Sequence, residues 1–328
     1  MNADCPWCGA PAVAGPKCPK CGAIYAKAEA IRMHGRAESP EDVPVQSTEE
    51  GGEPQPAPEP ALLIYSDEYS NEFSNDSPQV SDPALEVKFC MAALPITLIL
   101  GMLFHAFHLG HFLQRTFLSM PVHEFGHAFT AWFCGRAAVP TLWKTLSAES
   151  RGVVTPVLVA AAIIYVLVRA RQAQNRFITW VCCGLLLFQA ICTFLISSQS
   201  ASALITFGGD AGAMVFGTVL MTTFFYGKNT QLYKGSLRWG FLVIGAAAYV
   251  DTFSTWWRAM SDDDAIPYGE MEGVGLSDPS RLTDTYGWTQ AAMVHRYVGL
   301  GVLCLLMLIC VWIWGIREAK KGMTTTKP

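Results

Sequence analysis

From Phe177 to Ile196 the chain reads Phe-Ile-Thr-Trp-Val-Cys-Cys-Gly-Leu-Leu-Leu-Phe-Gln-Ala-Ile-Cys-Thr-Phe-Leu-Ile, without one charged side chain. A helix that crosses a bilayer needs about 20 such residues. Further apolar segments lie on either side, at 89–109, 116–134, 152–168, 211–226, 239–257 and 294–316. Aromatic residues stand near several ends, at Trp143, Trp180, Tyr226, Trp239, Trp256 and Trp257, where the headgroup boundary favours them. The pattern predicts an all-α polytopic membrane protein of six or seven transmembrane segments. Composition agrees. Hydrophobic residues make up 51% of the 328 and charged residues 15%, below the roughly 25% of soluble domains.

Residues 1–87 have a different character. They hold 15 Asp/Glu against 5 Lys/Arg, whereas residues 88–328 hold 12 against 18. The contrast excludes a single soluble globule, a collagen-like chain and a wholly disordered one. Neither part is basic enough to point to a nucleic-acid partner. Cys5, Cys8, Cys18 and Cys21 form two Cys-Pro-x-Cys pairs, each followed by glycine. Two residues between thiolates let both sulfurs reach one ion, and four sulfurs close a tetrahedral zinc site. The pairs resemble the short zinc ribbons of prokaryotic proteins. A structural Zn²⁺ on a ribbon at 1–26 is therefore expected, offering a surface for a protein partner. Residues 27–87, acidic and proline-rich through Glu49–Pro60, read as a disordered linker. The membrane domain is expected at 88–328.

No secretory signal opens the chain, and thiolate-bound zinc favours a reducing compartment. The N-terminus is thus expected on the cytoplasmic side of a prokaryotic cytoplasmic membrane. Arg317, Lys320, Lys321 and the Arg169–Arg176 loop fall on that side only if segment 116–134 enters the bilayer without crossing it.

Segment 116–134 carries Pro121-Val122-His123-Glu124-Phe125-Gly126-His127. On a helix, His123 and His127 lie one turn apart on one face and can hold one Zn²⁺, with Glu124 beside them as a base towards water. Two imidazoles and an acid within an apolar segment are costly unless they pair or bind metal. A catalytic zinc needs one more protein ligand. Asp210, in Gly208-Gly209-Asp210-Ala211-Gly212, stands where a polar stretch gives way to an apolar one. Its glycines would let the backbone break and open a helix there. Asp251 is a lower-ranked competitor. A glutamate of the acidic 258–293 loop, such as Glu270, is the ligand under a rival scheme. His105, His108 and His111 read as headgroup-boundary residues, with a second metal site as the alternative.

The His-Glu-Phe-Gly-His motif, followed by an aspartate in a glycine-rich motif of a later membrane segment, resembles the site-2 protease family of intramembrane zinc metalloproteases. The resemblance covers about 112–226, taken as the catalytic core. It implies zinc held by His123, His127 and Asp210, Glu124 as general base, and a membrane protein as substrate. The family's Asp-Gly is here Asp210-Ala211-Gly212. The rival readings are another class of HExxH membrane metallopeptidase and a non-catalytic metal-binding membrane protein.

Overall fold

The computed structural model describes residues 83–226, 237–271 and 275–325, which are predominantly helical. The ribbon cysteines Cys5, Cys8, Cys18 and Cys21, and the linker up to residue 82, lie outside the described residues. Helix α1 (Pro83–Ala106) opens on proline, where the missing N–H leaves nothing unpaired. The membrane domain therefore begins before Lys88, inside the expected linker.

Phe107 is extended, and the chain resumes as α2 (His108–Leu113), a π-helical turn (Gln114–Ser119) and α3 (Met120–Phe133). The π-turn comes directly before Pro121, whose ring and absent N–H disfavour an ordinary α-turn at that point. A hairpin follows, with β1 (Ala138–Pro140) antiparallel to β2 (Thr145–Ser147). Then come α4 (Val154–Gln172), α5 (Arg176–Ala190) with a π-turn at Ile191–Leu195, and α6 (Ser198–Thr222). Asn175 and Ser197 cap α5 and α6 by accepting from the Ile178 and Ser200 N–H groups. After α7 (Leu237–Arg258) the chain forms a small hairpin, β3 (Glu270–Met271) with β4 (Gly275–Leu276). It continues as the one-turn α8 (Asp278–Ser280), a π-turn (Arg281–Thr285) and the long α9 (Gln290–Thr325).

Among the described residues five helices are long and apolar enough to cross a bilayer: α1, α4, α5 with its π-turn, α6 and α9. Six or seven were expected. Helix α3, with 14 residues, spans only about 21 Å, short of the roughly 30 Å hydrocarbon core. Helix α7 is diluted by Asp251, Thr252, Ser254 and Thr255. Both helices carry buried charged groups, His123 and Glu124 on α3 and Arg238 and Asp251 on α7.

Helix α6 is the centre. In its apolar window 67% of residues are buried, against 22% or fewer in the other four. It packs against α3 and against α7. One core gathers Met214, Tyr249, Trp256, Leu282 and Tyr297 from α6, α7, the α8 region and α9. A second gathers Ala131, Phe133, Cys192, Ala201 and Ile205 from α3, the end of α5 and α6. A buried bidentate pair, Arg238 to Glu86 at 3.0 and 3.3 Å, joins α7 to α1. The outer faces of α4 and α5 expose Leu158, Tyr165, Trp180 and Phe194, a surface suited to lipid.

The break expected at Gly208-Gly209 is absent: α6 runs on through both. Their role is close approach. A Cβ on Gly126 would lie 2.9 Å from the Gly212 Cα, and one on Gly209 would lie 2.6 Å from the His123 Cε1. Small residues at such a crossing let two backbones meet, as favoured between membrane helices. Gly212→Ala should therefore cost about 1–3 kcal/mol through overpacking. Gly240→Ala, which meets nothing within 4 Å among the described residues, should be neutral or stabilise by up to about 1 kcal/mol. Thermal unfolding of the two variants in detergent tests the contrast.

Candidate metal centre

Helix α3 buries His123 and Glu124 and leaves His127 slightly more open. The two imidazoles meet edge to face, with centroids 4.7 Å apart. Each Nδ1 faces an acceptor that has no proton to give. His123 Nδ1 is 2.9 Å from Asp210 Oδ1, and His127 Nδ1 is 2.7 Å from the Ile205 carbonyl. Both ring protons therefore belong on Nδ1, which leaves the Nε2 lone pairs free. The Nε2 atoms lie 3.1 Å apart. Asp278 Oδ2 sits 3.2 Å from His123 Nε2 and 3.0 Å from His127 Nε2.

Three lone-pair atoms thus meet with no hydrogen-bond donor between them. Such a contact is repulsive unless a proton or a metal ion lies between the atoms. Two imidazole nitrogens and one carboxylate oxygen are a donor set that zinc accepts, and the three atoms can all ligate one ion. The residues present fit the metal that the resemblance implies.

Asp210 is not the third member of this set. It is buried in the middle of α6, facing the far side of the His123 ring, and its Oδ2 accepts from Trp256 Nε1 at 2.8 Å. A carboxylate on Nδ1 fixes the ring and its tautomer and raises the basicity of Nε2. The Asp210 side chain is thereby committed to orienting His123.

Asp278 comes instead from the loop between α7 and α9. Ser277 caps α8, Ser280 Oγ accepts from the Gly269 N–H, and Leu282 is fully buried just beyond. These contacts hold the carboxylate over the imidazoles. The sequence reading missed this residue. The loop was a ligand source only under the rival scheme, with Glu270 as its example, and Glu270 is exposed on β3 and outside the cluster. The available signal was Ser277-Asp278-Pro279-Ser280, a helix-start pattern that fixes the direction of its aspartate.

Glu124 points to the hairpin rather than into the ligand set. Thr145 Oγ1 on β2 lies 2.7 Å from both Glu124 Oε2 and the Glu124 carbonyl. The hairpin is tied to α3 by Trp132 Nε1, which donates to the Ala138 carbonyl. Asp251 lies elsewhere, fully buried against His111 and Arg115. With His105 and His111 it forms a second group, so these histidines are not headgroup-boundary residues alone.

Asp278→Asn should weaken zinc binding more than Asp210→Asn does. The first loses a ligand; the second loses an orienting bond, which is worth about 10–100-fold in affinity. Competition against a zinc chelator ranks the two, and equal loss or the reverse order would reinstate Asp210 as the ligand.

Comparison with family models, with curated proteins and with solved structures returns no match, so the assignment rests on the geometry of the site itself.

Proposed function

We propose that the chain is a zinc-dependent endopeptidase that cleaves peptide bonds within or next to the bilayer. His123, His127 and Asp278 hold the ion, and Glu124 moves the proton. The observation that carries this is the convergence of three lone-pair atoms one residue away from a buried glutamate. That glutamate takes no part in the ligand set. A purely structural metal would need the first feature and not the second. Bound zinc supplies Lewis acidity, polarising a carbonyl and making a water more acidic.

The side chains divide the remaining work. Asp210 and the Ile205 carbonyl keep both imidazoles in the ligand tautomer. Thr145 holds the Glu124 carboxylate in one rotamer. Glu124 accepts a proton from the attacking water and passes it to the leaving amine. The substrate has to be locally unwound, because a helix ties up its carbonyls in hydrogen bonds. The exposed apolar faces of α4 and α5 suit a membrane-embedded setting for this chemistry.

A second reading has a specific observation in its favour. The third ligand comes from a loop helix, whereas the site-2 protease pattern draws it from a later membrane helix. This supports a separate class of HExxH membrane metallopeptidase that shares the motif and the buried aspartate with site-2 proteases.

Glu124→Gln should abolish cleavage and leave zinc content unchanged; His123→Ala should lose both. Proteomics of the membrane fraction should show proteins whose fragments disappear in the Glu124→Gln strain. Indistinguishable peptide termini in the two strains would remove the protease reading. Thr145→Val, which frees the Glu124 carboxylate, should lower turnover by about tenfold while zinc affinity stays as it was.

A further inference from the structure

We propose that His105, His111 and Asp251 form a second divalent-cation site of the zinc class, separate from the HExxH centre. The local fold explains how residues six apart come together. Helix α1 ends at Ala106, and Phe107 takes an extended conformation (φ −97°, ψ 133°) before α2 begins. The chain is tight at this jog, because a Cβ on Gly110 would run into the Phe104 carbonyl. The offset swings the His105 and His111 rings edge to face, with centroids 4.4 Å apart. Helix α7 brings in Asp251, which has no exposed surface.

The donor atoms gather on one side of that carboxylate. Asp251 Oδ1 is 3.0 Å from His111 Nε2 and 3.6 Å from His105 Nδ1, and the three atoms all lie within 4.8 Å of one another. The other oxygen, Oδ2, accepts from Arg115 Nη1 at 3.0 Å. Arg115 thereby fixes the carboxylate and leaves Oδ1 to the histidines, the part an outer partner plays in a metal site. An ion-pair network accounts for less. If His111 donates to Oδ1, the buried His105 Nδ1 still has no hydrogen-bond partner, at a cost of about 1–3 kcal/mol. One cation between the three atoms satisfies all of them.

Imidazole and carboxylate together suit zinc, cobalt or nickel better than calcium or magnesium. The cluster opens on a cavity of about 450 Å³, lined also by His108, Thr252, Thr255 and Arg258. An ion held by three protein ligands would keep its open side toward that space. The site ties α1, α2 and α7 across the jog, just ahead of the π-turn that leads into the HExxH helix. None of its three ligands belongs to the HExxH set, so it stands or falls apart from the protease reading.

The test uses the full chain, purified in detergent, saturated with zinc and then desalted. His111→Ala and Asp251→Asn should each hold about one equivalent of zinc less than the wild type. His108→Ala, which lines the same cavity from outside the group, should hold as much as the wild type. His111 is 44% exposed, so its truncation is compatible with folding, and an unchanged elution volume verifies this. His123→Ala should remove a different equivalent, so that the double variant His111→Ala/His123→Ala loses about two. Equal zinc content in wild type and His111→Ala overturns the proposal.

Discussion

Backbone meets backbone where α3 crosses α6, and the setting of both HExxH imidazoles follows from that approach. Gly126 lies against Gly208 and Gly212 with no side chain between them, and Gly209 leaves the space that the two imidazoles fill. In lipid there is little hydrophobic gain from bringing helices together, so dispersion at short range has to do it. Glycine makes that range available. The same crossing sets the Ile205 carbonyl and the Asp210 carboxylate beside the two Nδ1 atoms. Two residues from neighbouring turns of one helix thus determine the tautomers of two residues on the other.

The polar groups of the two proposed metal sites share one design. In each, a carboxylate oxygen faces two imidazole nitrogens, and outer groups hold the ligands in place. At the HExxH centre Asp210 and the Ile205 carbonyl act on the imidazoles; at the other site Arg115 acts on the carboxylate. Burial makes such arrangements decisive, because an acceptor left without a donor or a cation cannot turn to water.

The apolar segments read from the sequence all became helices, since long runs without charge leave little else for a chain in lipid. The HExxH spacing was legible for a similar reason: it is a local property of a helix face. What failed was tertiary. Gly208-Gly209 reads as a backbone break because its partner, Gly126, lies far away in sequence. Asp278 sits in an irregular acidic loop where no periodicity singles out one carboxylate from its neighbours. His105 and His111 read as boundary residues because nothing in the sequence reveals the extended Phe107 that turns them together. Pro83, by contrast, was a readable helix start placed within the linker.

Asp278 follows His123 by most of the length of the membrane domain, and this has a bearing on biogenesis. Chains are threaded into the bilayer from the N-terminus, and domains settle as they emerge. The HExxH helix, α6 and the Asp210 contact can all be in place while the loop before α9 is still unmade. A nascent chain at that stage has two imidazoles correctly aimed and no third ligand. The proposed metal set stays incomplete until the loop before α9 has been made, which would give the proposed hydrolase a latency during its own synthesis.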